Sequence, residues 1–209
     1  RADVEACRDR ARVIAINDNY LVAPFSDVLY YADSKWAAWQ RAGLERRWPW
    51  AAFTAADVRE AWATFRGQKC TLIQPGVPAP VEQSTICLRI LCSDGLSTDA
   101  AGLASGRHSG HQAINLAVLA GAATVVLLGY DAARAGQRRH AFGDHPDRTE
   151  PPYREIRAAA STAASAAAEL GVRIINSTPG SQLGCFEALD LETVLAGVVP
   201  DSRATLLPA

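Results

Sequence analysis

The chain has 209 residues, of which 49% are hydrophobic and 21% charged, with a formal net charge of −1. That length suits one α/β-sized core, and the balance is that of a globular chain rather than a disordered or collagen-like one. Near-neutrality argues against a dedicated nucleic-acid binder, whose footprint is basic. The longest apolar run, around 113–128, is interrupted by Asn115 and Gly121. It falls short of the roughly 20 residues that a membrane-spanning helix needs, so neither membrane association nor a secretory leader is expected. The five cysteines, Cys7, Cys70, Cys87, Cys92 and Cys185, form no C-x-x-C pair. They predict neither a disulfide framework nor a zinc site, and favour a reducing, cytoplasmic home.

In chain order, Arg1-Ala2-Asp3 reads as the body of a helix, and a preceding segment is expected. Arg12–Ile16 and Asp27–Tyr31 are short apolar runs that end in polar residues, which predicts strands entering loops. Ser34–Ala42, with Trp36, Trp39 and Ala42 at helical spacing, and Thr54–Phe65, with Val58, Ala61, Trp62 and Phe65 on one face, predict capped amphipathic helices. Lys69–Ile73 and Thr85–Leu91 are further strand candidates on either side of a Pro-rich turn. Cys70 and Cys87 fall in these runs, Cys92 directly follows the second, and all three are expected to be small buried hydrophobes. Ser109-Gly110-His111-Gln112 has the pattern of a capping box opening a helix. Thr124–Leu128 is apolar at every position but the first, the mark of a central parallel strand. Residues 132–150 are polar and aperiodic, long for a connection, and are expected to form a lid-like loop. Pro151-Pro152 then opens an alanine-rich helix to Leu170, before a strand at Val172–Ile175 and a short helix near Asp190–Ala196.

Strands alternating with helices predict one α/β domain over 1–209, with a mainly parallel sheet covered on both faces. Ligands bind such sheets beyond the carboxyl ends of the strands. Those positions carry Asn17, Asp18, Asn19, Asp33, Ser93, Asp94, Asp131, Asn176, Ser177 and Thr178, nearly all polar and short. The turn Gly106-Arg107-His108-Ser109-Gly110 leads into a helix start, whose free N–H groups suit a phosphate. It is neither a P-loop nor the G-x-G-x-x-G fingerprint. Asn17 offers donor and acceptor together for a base or ribose, and Asp131 is a candidate to orient a hydroxyl. In the 132–150 loop, His140, Asp144 and His145 are candidates for general acid–base work, and Arg134, Arg138 and Arg139 for neutralising a diphosphate. No metal is expected. Trp48-Pro49-Trp50 is a candidate exposed contact for a subunit or ligand.

The stretch HSGHQAINLAVLAGAATVVLLGYDA, with VIAINDNY before it and VRIINSTPGSQL after it, resembles the bacterial sialyltransferases and their relatives. Those relatives include the motility accessory factor glycosyltransferases and the archaeal 6-hydroxymethylpterin pyrophosphokinases. It is more similar still to an uncharacterised family of bacteriophage and prophage proteins, in which such strings recur. The resemblance implies a Rossmann-like fold that binds a nucleotide sugar without a metal or other cofactor. It implies nucleotide contacts at Asn17, Ser109, Gly110 and Asp131, and aligns Asn176 and Ser177 with a further polar stretch; Asp33 joins them as a strand-end residue. It also implies that the first strand and phosphate loop of the fold lie before residue 1. The sialyltransferase His is not matched, Pro151-Pro152-Tyr153 standing in its place, so the base would be His145 or His140.

The function expected is therefore binding of a nucleotide or nucleotide sugar, with glycosyl or phosphoryl transfer, in a cytoplasmic or virion-associated phage or prophage protein. The partners expected are that nucleotide, a second copy or virion proteins. Two alternatives stand beside it: a catalytically inactive interaction protein, and a pterin-type pyrophosphokinase.

Overall fold

A computed structural model describes residues 2–73, 84–134 and 152–197. Its elements follow the alternating order expected. Helix α1 (Ala2–Ala6) leads to strand β1 (Ile14–Ile16), a 3-10 turn (Asn17–Leu21) and β2 (Val28–Tyr31). Helix α2 (Ser34–Ala42), a two-residue hairpin β3/β4 (Arg46–Arg47, Ala52–Phe53), helix α3 (Ala55–Thr64) and strands β5 (Gln68–Leu72), β6 (Ile86–Cys92) and β7 (Gly102–Ala104) come next. The rest is α4 (Ser109–Leu119), β8 (Thr124–Leu127), α5 (Tyr153–Glu169), β9 (Arg173–Asn176), β10 (Glu187–Ala188) and α6 (Leu191–Gly197). None of these helices is long and apolar enough to cross a membrane.

The strands form a five-stranded sheet, ordered β1-β2-β5-β6-β7, and a three-stranded sheet, ordered β10-β9-β8. Every pairing in both is parallel; only the β3/β4 hairpin is antiparallel. Parallel strands covered on both faces must be apolar on both, and β2 shows why: all four of its residues are buried. Val28 and Tyr30 pack with Leu103, Ala113 and Leu116 on the α4 side. Leu29 and Tyr31 pack with Trp36, Val58 and Trp62 on the side of α2 and α3. In the smaller sheet, Val125, Leu127 and Ile174 meet Ile114 of α4 and Ala160, Ala163 and Ala167 of α5. The alanines on α5 let that helix lie close to the strands, as its composition implies. This is a single α/β domain of Rossmann-like architecture.

Several local expectations shift. The cap of α2 is Asp33, whose carboxylate accepts from Lys35 N at 2.8 Å, rather than Ser34. Helix α4 is capped by His108, not Ser109: its imidazole accepts from His111 N, and Ser109 is the first helical residue. Thr54 caps α3, as predicted, and the structure adds a reciprocal bond from Asp57 that completes a capping box. Of the three cysteines expected to be buried, only Cys70 is; Cys87 is half-buried and Cys92 exposed. Trp48 is 3% exposed and packs edge-on against Phe53, so of the Trp-Pro-Trp contact Pro49 and Trp50 face solvent and Trp48 does not. Most of the 132–150 loop, with His140, Asp144 and His145, lies outside the described residues.

Candidate functional site

Chain order runs outward from β1 in one half and outward from β8 in the other, so the direction of winding reverses between these two strands. The crevice above such a reversal is where doubly wound folds bind ligands. A cleft of about 2310 Å³ opens there, and the ends of β1, β8 and β9 and the start of α4 line it.

The chain leaves these strand ends abruptly. Asn17 after β1 has φ 49°, Arg107 before α4 has φ 61°, and Ala132 after β8 has φ 51°, all in the left-handed region that non-glycine residues rarely occupy. Such backbone persists only where its surroundings impose it, and it clusters at functional sites. Around Asn17 the imposing structure is visible. Its neighbour Asp18 is fully buried and accepts from Trp36 Nε1 (3.1 Å), Gln40 Nε2 (3.0 Å) and Arg46 Nε (2.5 Å), while Tyr20 donates to Gln40 Oε1 (3.0 Å). A buried carboxylate paired with a buried guanidinium fixes register more than it adds stability. Here it fastens the turn that presents Asn17 to the cleft.

On the α4 side, the N–H groups of Ser109 and Gly110 belong to the first helical turn and have no intrahelical acceptor. The His108 ring accepts from His111 N through Nδ1, which assigns its proton to Nε2. That Nε2 is buried with no hydrogen-bond partner, on a residue that lines the cleft. Burial, and then the neighbouring His111, hold the His108 pKa down to about 4, so the ring is neutral at physiological pH. Ser177 Oγ, at the opposite wall, is likewise buried without a partner. Buried polar groups in native proteins are nearly always satisfied by protein or by water, so these two atoms, both lining the cleft, are positions where it offers polar groups to water or a ligand.

Tyr130 ties the two walls together. Its hydroxyl donates to Gly110 O (3.0 Å), its N–H donates to Thr178 Oγ1 (3.0 Å), and its carbonyl accepts from Ser181 Oγ (2.6 Å). Burial raises the phenol pKa, which keeps that proton in place. Gly110 sits tightly between these groups: a Cβ there would lie 2.9 Å from both His108 Nδ1 and Tyr130 Cε1.

The structure therefore brings Asn17, Asp33, Ser109, Gly110, Asp131 and Ser177 to one cleft. Asp33 and Asp131 are exposed at its rim, and the Asp33 carboxylate also holds the α2 cap. Asn176 does not join them: it is 5% exposed, does not line the cleft, and uses its side chain within its own loop, donating to Ser181 Oγ and accepting from Thr178 N. Tyr130 and Arg46 are not singled out in the sequence, and Asp18 and His108 are read there only as a strand-end residue and as part of the turn before α4, not as the fastening carboxylate and the helix cap. Position offers a signal only for His108, which directly precedes the helix. Among the described residues no three His, Cys, Asp or Glu side chains gather as a metal site would require. Comparison with family models, with curated proteins and with solved structures finds no match for this chain.

Proposed function

We propose that this protein binds a nucleotide or nucleotide sugar at the reversal point of its sheet, its phosphate at the start of α4, and transfers a glycosyl or phosphoryl group. The observation that carries the reading is the unpartnered Nε2–H of His108 beside the free N–H groups of Ser109 and Gly110. Three donors on the positive end of an 11-residue helix with no acidic residue in its first turn suit an anion. Arg107, exposed and lining the cleft one residue earlier, adds a guanidinium that can take phosphate oxygens two at a time. Asn17, across the cleft, offers a carboxamide to a base or ribose. Asp131 and Ser177 stand where sugar hydroxyls would be held. The sequence places His140 and His145 in the segment that follows Asp131, as candidates for the base of the transfer step.

Calorimetric titration with CMP, UDP, GDP and ATP tests this. Binding of at least one nucleotide is expected, weakened about tenfold or more by His108→Ala, since a charge-assisted hydrogen bond is worth about 1.5–3 kcal/mol. No binding by any of the four would end the reading.

A further inference from the structure

Four of the five tryptophans are packed: Trp36, Trp48 and Trp62 are buried and Trp39 is half-buried. Trp50 is 56% exposed, more than any other large hydrophobic residue described, and among the described residues no ring, cation or hydrogen-bond partner engages its indole. It stands at the tip of the β3/β4 hairpin, where Trp48 N–H donates to Ala51 O (2.7 Å) and leaves Pro49 and Trp50 as the two loop residues. Proline fixes its own φ, and Trp48 packs edge-on against Phe53 across the hairpin, so the ring is presented on a stiff support. The hairpin is in turn fastened to the cleft. Arg46 of β3 donates to Asp18, whose chain neighbour is Asn17, and one buried carboxylate thereby sets Asn17 and the hairpin relative to each other. Trp50, Asn17 and Asn19 line the same cleft as Arg107, Ser109 and Gly110.

We propose that Trp50 is the platform on which the base of the bound nucleotide stacks, while its phosphate lies at the start of α4. The proposal rests on the reading of the cleft as a nucleotide site and names the residue that holds the other end of the ligand. An unpacked indole beside a polar cleft offers a large apolar π-face with only two side-chain torsions to immobilise. A flat heteroaromatic ring covers such a face more fully than a sugar or an aliphatic chain does. The other use of an exposed tryptophan is a subunit contact, which needs a contiguous apolar patch around it. The remaining exposed large hydrophobic residues, Ile73, Ile90, Leu91 and Leu170, stand after β5, on β6 and after α5, and none of them lines the cleft with Trp50. Stacking is tolerant of which base is present, because every base has a π-face. Trp50 therefore supplies affinity for the base, and selection among bases falls to polar edges, for which the carboxamides of Asn17 and Asn19 line the same cleft.

Calorimetric titration of the whole chain, unsubstituted and as Trp50→Ala and Trp50→Phe, tests the proposal. The ligands are CMP, UDP, GDP and ATP, together with ribose 5-phosphate, which carries sugar and phosphate but no base. Trp50→Ala is expected to weaken every nucleotide that binds by about fivefold to a hundredfold, the range that base–aromatic stacking contributes, and Trp50→Phe by much less. Ribose 5-phosphate affinity and the urea midpoint are expected to be the same in all three chains, because Trp50 is exposed at a hairpin tip. Nucleotide affinity that is unchanged in Trp50→Ala overturns the proposal and leaves the nucleotide site standing, whether or not the substitution alters self-association in sedimentation. An equal loss for ribose 5-phosphate overturns it as well, since the ring then does not act on the base. Failure of the unsubstituted chain to bind any of the four nucleotides overturns the reading of the cleft itself, and the platform with it.

Discussion

Replacing Asp18 by alanine should unfasten the cleft's β1 wall at a cost that can be worked from its surroundings. Asp18 is 0% exposed and Arg46 is 5% exposed. Removing the carboxylate strips the acceptor from Trp36 Nε1, Gln40 Nε2 and Arg46 Nε together and takes the buried carboxylate from beside the buried guanidinium. Breaking such a pair from one side costs about 3–5 kcal/mol, a large part of the 5–15 kcal/mol that holds a domain folded. With a urea m-value of about 2 kcal/mol/M, the unfolding midpoint should fall by about 2 M. The double substitution of Asp18 by Leu with Arg46 by Met, which removes both charges, should recover the part of that loss due to the buried guanidinium, while Trp36 Nε1 and Gln40 Nε2 still lack their acceptor. Urea titration followed by tryptophan fluorescence reads both variants, because Trp36 and Trp62 stand in this cluster. A loss below about 1 kcal/mol in the single variant, or a double variant worse than the single, would refute the assignment of Asp18 as the fastening residue.

Three further outcomes follow from the same geometry. Because the His108 pKa is lowered to about 4 from 6.5, the unfolded chain binds more protons than the folded one between those values. Stability should therefore be flat above pH 6.5 and fall by something on the order of 3 kcal/mol as pH drops to 4, and His108→Ala should flatten that part of a urea-midpoint profile. Gly106→Ala should cost about 2 kcal/mol or more in the same titration, since Gly106 has φ 50° and a Cβ there would meet His111 Cγ at 1.9 Å. Of the thiols, exposed Cys92 should react with Ellman's reagent within minutes, whereas buried Cys70, with its pKa pushed up to about 12 by burial, should react only on unfolding.

How much was legible in the sequence depended on how much local chemistry each feature carries. The four residues of β2 are buried on both faces, so their identity alone announces a parallel strand. The two-residue strands of the β3/β4 hairpin and the Gly-Leu-Ala of β7 are too short to show a period, and pairing partners create them. The caps at Asp33 and His108 were displaced by one residue because serine follows each, and only geometry tells which side chain turns back to the helix. Asp18 looks like any loop aspartate until Arg46, 28 residues on, is brought against it. Thr124–Leu128 carried the signature of a central strand, although among the described residues β8 pairs only with β9. Strand-end position did bring Asn17, Asp131 and Ser177 to the lining of one cleft. It failed for Asn176, because the strand runs through that residue and its side chain turns into the loop that follows.

The central claim is that His108 Nε2–H, with Ser109 and Gly110, forms an anion site at the start of α4. Nitrogen-15 NMR of the His108 ring and of the Ser109 and Gly110 amides, titrated with CMP and then with unphosphorylated cytidine, reads those three donors directly. Saturable shifts in all three with CMP, and much smaller ones with cytidine, are the predicted result. Donors that stay unmoved while nucleotide binds elsewhere, or that respond equally to the nucleoside, would contradict it.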